Sequence, residues 1–172
     1  MGLYVVYNGP MPTTVAQVPV TTGTSLKTML QLKLGGSTNQ PAKVVEWGIS
    51  FDGSAAATPI KCELLTTGTV GATITEFVAA DILALDPNVA AVTDDFPLAF
   101  TAAGDESGYT STSEGSITAT REFDVQFIAP TNQYVKQFPL GREPMWKQTE
   151  YLRIRVTAGT AVNAYCYIVF EV

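Results

Sequence analysis

Tyr151-Leu152-Arg153-Ile154-Arg155-Val156-Thr157 is followed by a short turn and then by Ala161-Val162-Asn163-Ala164-Tyr165-Cys166-Tyr167-Ile168-Val169-Phe170-Glu171-Val172. In the first run Leu152, Ile154 and Val156 share one face, and Arg153 and Arg155 share the other. In the second, Val162, Ala164, Cys166, Ile168 and Phe170 lie together, opposite Tyr165 and Tyr167. Successive side chains of a strand point to opposite sides, so this period-two alternation predicts two half-buried β-strands. β-branched and aromatic residues suit a pleated surface, which strengthens the reading.

Working outward, the same alternation recurs. Residues 117–128 place Phe123, Val125 and Phe127 on one face and Glu122, Asp124 and Gln126 on the other. Residues 60–66 set Ile60, Cys62 and Leu64 against Lys61 and Glu63; residues 43–51 set Val45, Trp47, Ile49 and Phe51 against Glu46, Gly48 and Ser50. Residues 25–34 alternate Leu26, Thr28, Leu30, Leu32 and Leu34 with Lys27, Met29, Gln31 and Lys33. Residues 72–85 predict a strand near 72–78 and then a short helical turn. Between these runs stand turn formers: Gly35-Gly36-Ser37, Asp52-Gly53-Ser54 and Asp86-Pro87-Asn88.

Two segments lack this regularity. Residues 1–20 hold Pro10, Pro12 and Pro19, and proline removes a ladder donor, so the segment reads as an N-terminal arm or edge strand. Its apolar residues Leu3, Tyr4, Val5, Val6 and Tyr7 need a cover, from this domain or from a neighbour. Residues 86–116 form a long irregular excursion, with short strands of its own or ordered by a partner. Several short strands with turn signals between them predict an all-β fold. Its expected form is one antiparallel β-sandwich domain over residues 21–172, jelly-roll-like because long connections interrupt the hairpins.

Composition narrows the function. The 172 residues are 46% hydrophobic but only 15% charged, which suits a surface partly covered by other subunits. A net charge of −6 argues against nucleic acid, whose phosphates call for a basic face. No run reaches the ~18 apolar residues of a membrane span, and residues 1–10 lack the basic start of a secretory signal. Cys62 and Cys166 fall on strand faces assigned to the core and read as small buried hydrophobes of a reducing compartment.

The chain contains no His, which removes the common nucleophile–base pairs and His-ligated metal sites. Glu122 and Asp124 share the outward face of one strand and read as a solvated face rather than a glycosidase pair. Asp105-Glu106 is a further acidic pair, and Asp94-Asp95 lacks the alternate spacing of a calcium loop and reads as a turn. No catalytic residue, cofactor or metal ligand is expected, and the chain is read as a non-enzyme. The candidate functional residues are interface residues instead: the apolar Leu3, Tyr4, Val5 and Tyr7; Met145 and Trp146 as a plug or as packing under a loop; and Arg153, Arg155, Tyr165 and Tyr167. An antiparallel pairing of the last two strands would set these tyrosines beside the arginines as a cation–π patch.

Three segments together carry a family resemblance. They are Val45-Glu46-Trp47-Gly48-Ile49-Ser50-Phe51-Asp52-Gly53, then Ala129-Pro130-Thr131-Asn132-Gln133-Tyr134-Val135-Lys136-Gln137-Phe138-Pro139-Leu140-Gly141-Arg142-Glu143, then residues 151–157 with Ala161-Val162-Asn163-Ala164. In order and spacing they resemble small β-rich virion proteins of tailed bacteriophages, among them the head decoration, or cement, proteins. The resemblance runs from about residue 43 onward. It implies a non-enzymatic virion component, made in the host cytoplasm and placed on the outer capsid surface. It further implies a homotrimer whose partner is the major capsid protein lattice. The rival expectation is a minor tail, head-fibre or carbohydrate-binding module that recognises a host surface through Tyr165 and Tyr167.

Overall fold

A computed structural model describes residues 2–36, 41–53, 58–101 and 106–172. The turn positions Ser37 and Ser54 and the acid Asp105 lie outside the described residues. The strands are β1 (Leu3–Tyr7), β2 (Val20–Thr21), β3 (Leu26–Lys33), β4 (Ala42–Asp52), β5 (Ile60–Thr67), β6 (Thr73–Glu76), β7 (Leu83–Ala84), β8 (Gly108–Ser113), β9 (Ala119–Ile128), β10 (Gln133–Gln137), β11 (Met145–Trp146), β12 (Tyr151–Thr157) and β13 (Asn163–Glu171). A single 3-10 turn, Ala79–Asp81, stands between β6 and β7, where a helical turn is expected.

The strands form two antiparallel sheets packed as a sandwich. Sheet A runs β10-β4-β13-β1-β7, with β11 on β4 beside β10 and β2 on β13. Sheet B runs β6-β8-β3-β12-β5-β9. Between them lies one core in which Trp47, Ile49, Leu64, Leu152, Ile154, Ile168 and Phe170 are buried. Full burial of an aliphatic or aromatic side chain of this size contributes roughly 1.5–3 kcal/mol, so the facing rows of β4, β13, β12 and β5 carry the stability. Cys62 and Cys166 are free, buried thiols on these inner faces, and desolvation pushes Cys62 up to about 12 and Cys166 well above its usual value.

Several expectations are corrected. Residues 3–7 are not an arm or an edge: β1 pairs along its whole length with β13, and Tyr4 and Val5 pair also with β7. Tyr4 stacks on Phe170, with ring centroids 5.6 Å apart. The apolar run is covered by its own domain because its alternation matches that of the last strand. The excursion 86–116 is shorter than expected. Gly108–Ser113 is a sheet strand, and Leu98, Ala99 and Phe100 enter the core, with Leu34 bridging Leu98. The domain itself orders Leu98, Ala99 and Phe100 and Gly108–Ser113.

Sheet B departs from simple alternation because its outer face is itself covered. Residues 68–72 leave β5, cross that face and enter β6 at the far side of the sheet. There the Ala72 amide donates to Gln31 Oε1 at 2.9 Å, and the Val70 carbonyl accepts from Arg153. Both faces of β3 and β12 are therefore buried, which places Gln31, Lys33 and Arg153 inside rather than in solvent, while Met29 enters the core at the bulge that sets Thr28 opposite Arg155. Strand β9 has the reverse facing from the one expected. Asp124 stands opposite Leu64 and Gln126 opposite Cys62, so both point inward, while Val125 and Phe127 point out.

Candidate functional site

Outer residues of sheet A gather into one surface. Antiparallel pairing sets Tyr165 opposite Ser50, and Ser50 opposite Gln133. One row along, Tyr7, Tyr167, Gly48 and Val135 stand side by side. Together with Gln17, which lies over the face, these side chains line a cleft of about 260 Å³.

Local contacts hold the rings in place. The Tyr165 hydroxyl donates to the Gln17 carbonyl, and the Tyr167 hydroxyl donates to Glu46 Oε1. Burial first, then the Glu46 carboxylate, raises the Tyr167 pKa, so this hydroxyl stays protonated as a donor. Tyr7 and Tyr167 have centroids 5.9 Å apart at an interplanar angle of 40°. Gly48 is the backbone condition for this arrangement: a Cβ there would come within 2.5 Å of Tyr167 Cε1. Gly48→Ala is expected to displace the Tyr167 ring and to destabilise the protein by about 1–3 kcal/mol through overpacking. Denaturant melts would read the loss, and an unchanged midpoint would remove the close-packing argument.

The expected interface residues scatter over the molecule. Tyr7, Tyr165 and Tyr167 come together in the cleft. Leu3 is half-buried in β1, while Tyr4 and Val5 are buried and present nothing to a partner. Trp146 is in the core, edge-on to Phe170 at 5.7 Å, whereas Met145 beside it is exposed. Arg153 is buried and Arg155 half-buried, its Nη2 3.6 Å from Glu63 Oε1. The cation–π patch between these arginines and Tyr165 and Tyr167 does not form. Residues 158–162 carry the chain from sheet B to sheet A, so β12 and β13 are not neighbours. Arg153 lies instead over the Tyr151 ring, 5.3 Å from its centroid.

Sequence reasoning missed Gln17, Ser50, Gln133 and Val135 as companions of the tyrosines. The outward face of Ser50 was legible from its alternation. Its neighbours were not, because strand register joins residues far apart in sequence, Ser50 with Gln133 across 83 positions and with Tyr165 across 115.

The acids take structural roles. Asp94 accepts from the amides of Phe100 and Thr101 and from the Thr101 hydroxyl, and these bonds, the hydroxyl foremost, lower its pKa. Asp124 points inward, away from Glu122, so the two share no face. No helix is long and apolar enough to cross a membrane among the described residues. No family model, curated protein or solved structure matches the chain.

Proposed function

We propose that the protein is a non-enzymatic structural component of a tailed-bacteriophage virion, a head decoration protein that cements the capsid lattice as a homotrimer. The resemblance of the three segments quoted above supplies the class. One structural observation supports the mode of action: on one side sheet B ends in a long edge strand, β9, beside exposed apolar side chains.

Edge strands offer unpaired backbone groups and are usually short, charged or covered. On one side of the sandwich the edges, β6 and β7, are short. On the other side sheet B ends in β9, ten residues long, and sheet A ends in β10 and β11. The bulges of the β5–β9 pairing lie at Leu64/Leu65 and Thr66/Thr67, which leaves Asp124–Ile128 regular and open to a further strand. Apolar side chains flank this side: Phe127 is 73% exposed, Leu140 is 97% exposed, and Val125 and Met145 are also exposed. Such a margin suits burial against other copies and the capsid, where many weak contacts add through avidity.

The test uses light scattering and co-sedimentation with undecorated heads of the virus. The chain should run near three times 18.4 kDa and pellet with heads. The double variant Phe127→Glu, Leu140→Glu should become monomeric and stay in the supernatant. Exposed substitutions of this kind usually change stability by no more than about 0.5 kcal/mol, so a loss of assembly would not reflect unfolding. A wild-type chain that stays monomeric and ignores heads defeats the proposal.

A further inference from the structure

We propose that the cleft on the outer face of sheet A binds the ring of an uncharged sugar. The cleft shares strand β10 with that margin through Gln133 and Val135 but uses none of Val125, Phe127, Leu140 and Met145, and the proposal stands whether or not the chain coats a capsid. Three features carry it: fixed aromatic faces, uncommitted polar groups and the sign of the charge nearby.

The aromatic faces are preorganised. Tyr165 and Tyr167 are tied through their hydroxyls to Gln17 and Glu46, and the Gly48 backbone sits under Tyr167. A sugar ring presents C–H groups on its faces and hydroxyls around its rim. It therefore matches amphipathic rings that keep apolar area and a polar edge together. A ring already held in place loses little freedom when a ligand stacks on it.

The polar groups around the rings are unused. Among the described residues the Tyr7 hydroxyl, the Ser50 hydroxyl and the side-chain amides of Gln17 and Gln133 make no hydrogen bond within the protein, although all four side chains line the cleft. Between them they offer donors and acceptors in several directions, as a polyhydroxylated rim requires. An apolar partner side chain would leave these groups unanswered. The volume of about 260 Å³ falls below the ~300 Å³ at which drug-sized pockets begin, which fits one ring with the rest of a glycan outside.

Charge selects among sugars. The cleft-lining side chains carry no formal charge, the nearest acid is Glu46 on Tyr167, and the whole chain carries −6. A neutral hexose or N-acetylhexosamine is therefore favoured over a carboxylated sugar.

The experiment is a two-dimensional amide NMR titration of the full chain. Its probes are the methyl glycosides of glucose, galactose, mannose and N-acetylglucosamine, with N-acetylneuraminic acid and N-acetyl-leucinamide alongside. At least one neutral glycoside should give saturable shifts at residues 7, 17, 50, 133, 165 and 167. N-acetylneuraminic acid should bind at least about tenfold more weakly. Tyr7→Phe, which removes only the free hydroxyl, and Gln133→Ala should each weaken the neutral sugar by about tenfold or more while keeping the wild-type melting profile. The proposal falls if no neutral glycoside shifts these residues at roughly 50 mM, near the weak limit for a single sugar ring. It falls equally if the leucine amide alone does so, or if both variants bind like the wild type.

Discussion

Arg153→Ala is expected to lower the free energy of unfolding by about 3–5 kcal/mol, the range for breaking a buried, partnered charge. Arg153 is 0% exposed. Its Nε donates to Thr67 Oγ1 at 2.9 Å, its Nη2 to the Val70 carbonyl at 2.8 Å and its Nη1 to Thr28 Oγ1 at 3.4 Å. Glu114 Oε2 lies 3.9 Å from Nη1 and supplies the countercharge. Desolvation lowers the guanidinium pKa to about 10, opposed by Glu114, so the group is still a cation at neutral pH.

These bonds fasten residues 68–72 across the outer face of sheet B. Alanine would leave a void and strand the Val70 carbonyl beneath the covering segment. Arg153→Met fills the volume but leaves the Val70 carbonyl unanswered and Glu114 without its countercharge, so its loss should be smaller than alanine's, about 2–3 kcal/mol. Arg153→Lys should fall between them, because an ammonium does not reproduce the guanidinium fork. Denaturant titrations of the three variants would measure the order. An alanine variant within about 1 kcal/mol of wild type would mean that the segment is held by its own packing.

Asp124→Ala is expected to cost about 3 kcal/mol, as for a charged acceptor with several buried partners. Asp124 leaves β9 inward and joins the two sheets. Its Oδ2 accepts from Trp47 Nε1 at 3.1 Å and from the Tyr134 hydroxyl at 2.9 Å. Its Oδ1 accepts from Gln126 Nε2 at 2.9 Å and lies 3.3 Å from Lys136 Nζ. Without the carboxylate, the buried Trp47 indole N–H loses its acceptor.

The same contacts make a pH prediction. Burial pushes the Asp124 carboxyl up, but the donors Gln126, Tyr134 and Lys136 outweigh it, and the net shift is downward. A carboxyl with a depressed folded-state pKa stabilises the fold fully above its unfolded value, ~3.9, and loses that contribution as pH falls through the folded value. The stability gap between wild type and Asp124→Asn should therefore be constant near neutrality. It should narrow only as the pH drops below about 4. Glu63 is lowered as well: burial opposes the shift, and Lys61 and Arg155 drive it. It contributes acid sensitivity of the same sign to both proteins. A gap that stays constant down to pH ~2 would show that Asp124 acts by shape rather than by charge.

Phe127 and Arg153 show where alternation fails as a guide. It orders side chains within one strand but does not say which of the two faces is covered. For β13 and β5 the more apolar face is the inner one, as expected; in β4 this holds for Trp47, Ile49 and Phe51, while a bulge against β13 puts Val44 rather than Val45 in the core. In β9 the apolar pair Val125 and Phe127 faces out because Asp124 is needed inside, where Trp47 and Tyr134 supply donors. In β12 the arginine face became an interior once residues 68–72 crossed it. Both outcomes depend on distant partners, Trp47 at 77 positions from Asp124 and Val70 at 83 from Arg153, which no local pattern encodes. The candidate site divides in the same way. Tyr165 and Tyr167 were recognisable as a pair on one face, and the pair survives. Tyr7 was read as part of an arm and reached the same cleft through β1–β13 pairing.

The sequence by itself determined that this is an all-β chain, where most of its strands lie, and that Cys62 and Cys166 belong to the core. Those properties follow from side-chain periodicity and turn chemistry, which act over a few residues. Only the tertiary structure decided that β12 and β13 part into different sheets, that Arg153 and Asp124 are interior, and that Tyr7, Tyr165 and Tyr167 share a cleft. These are matters of register and of layers stacked on layers. They are settled by the joint requirement that every buried polar group find a partner while the apolar rows close on one another.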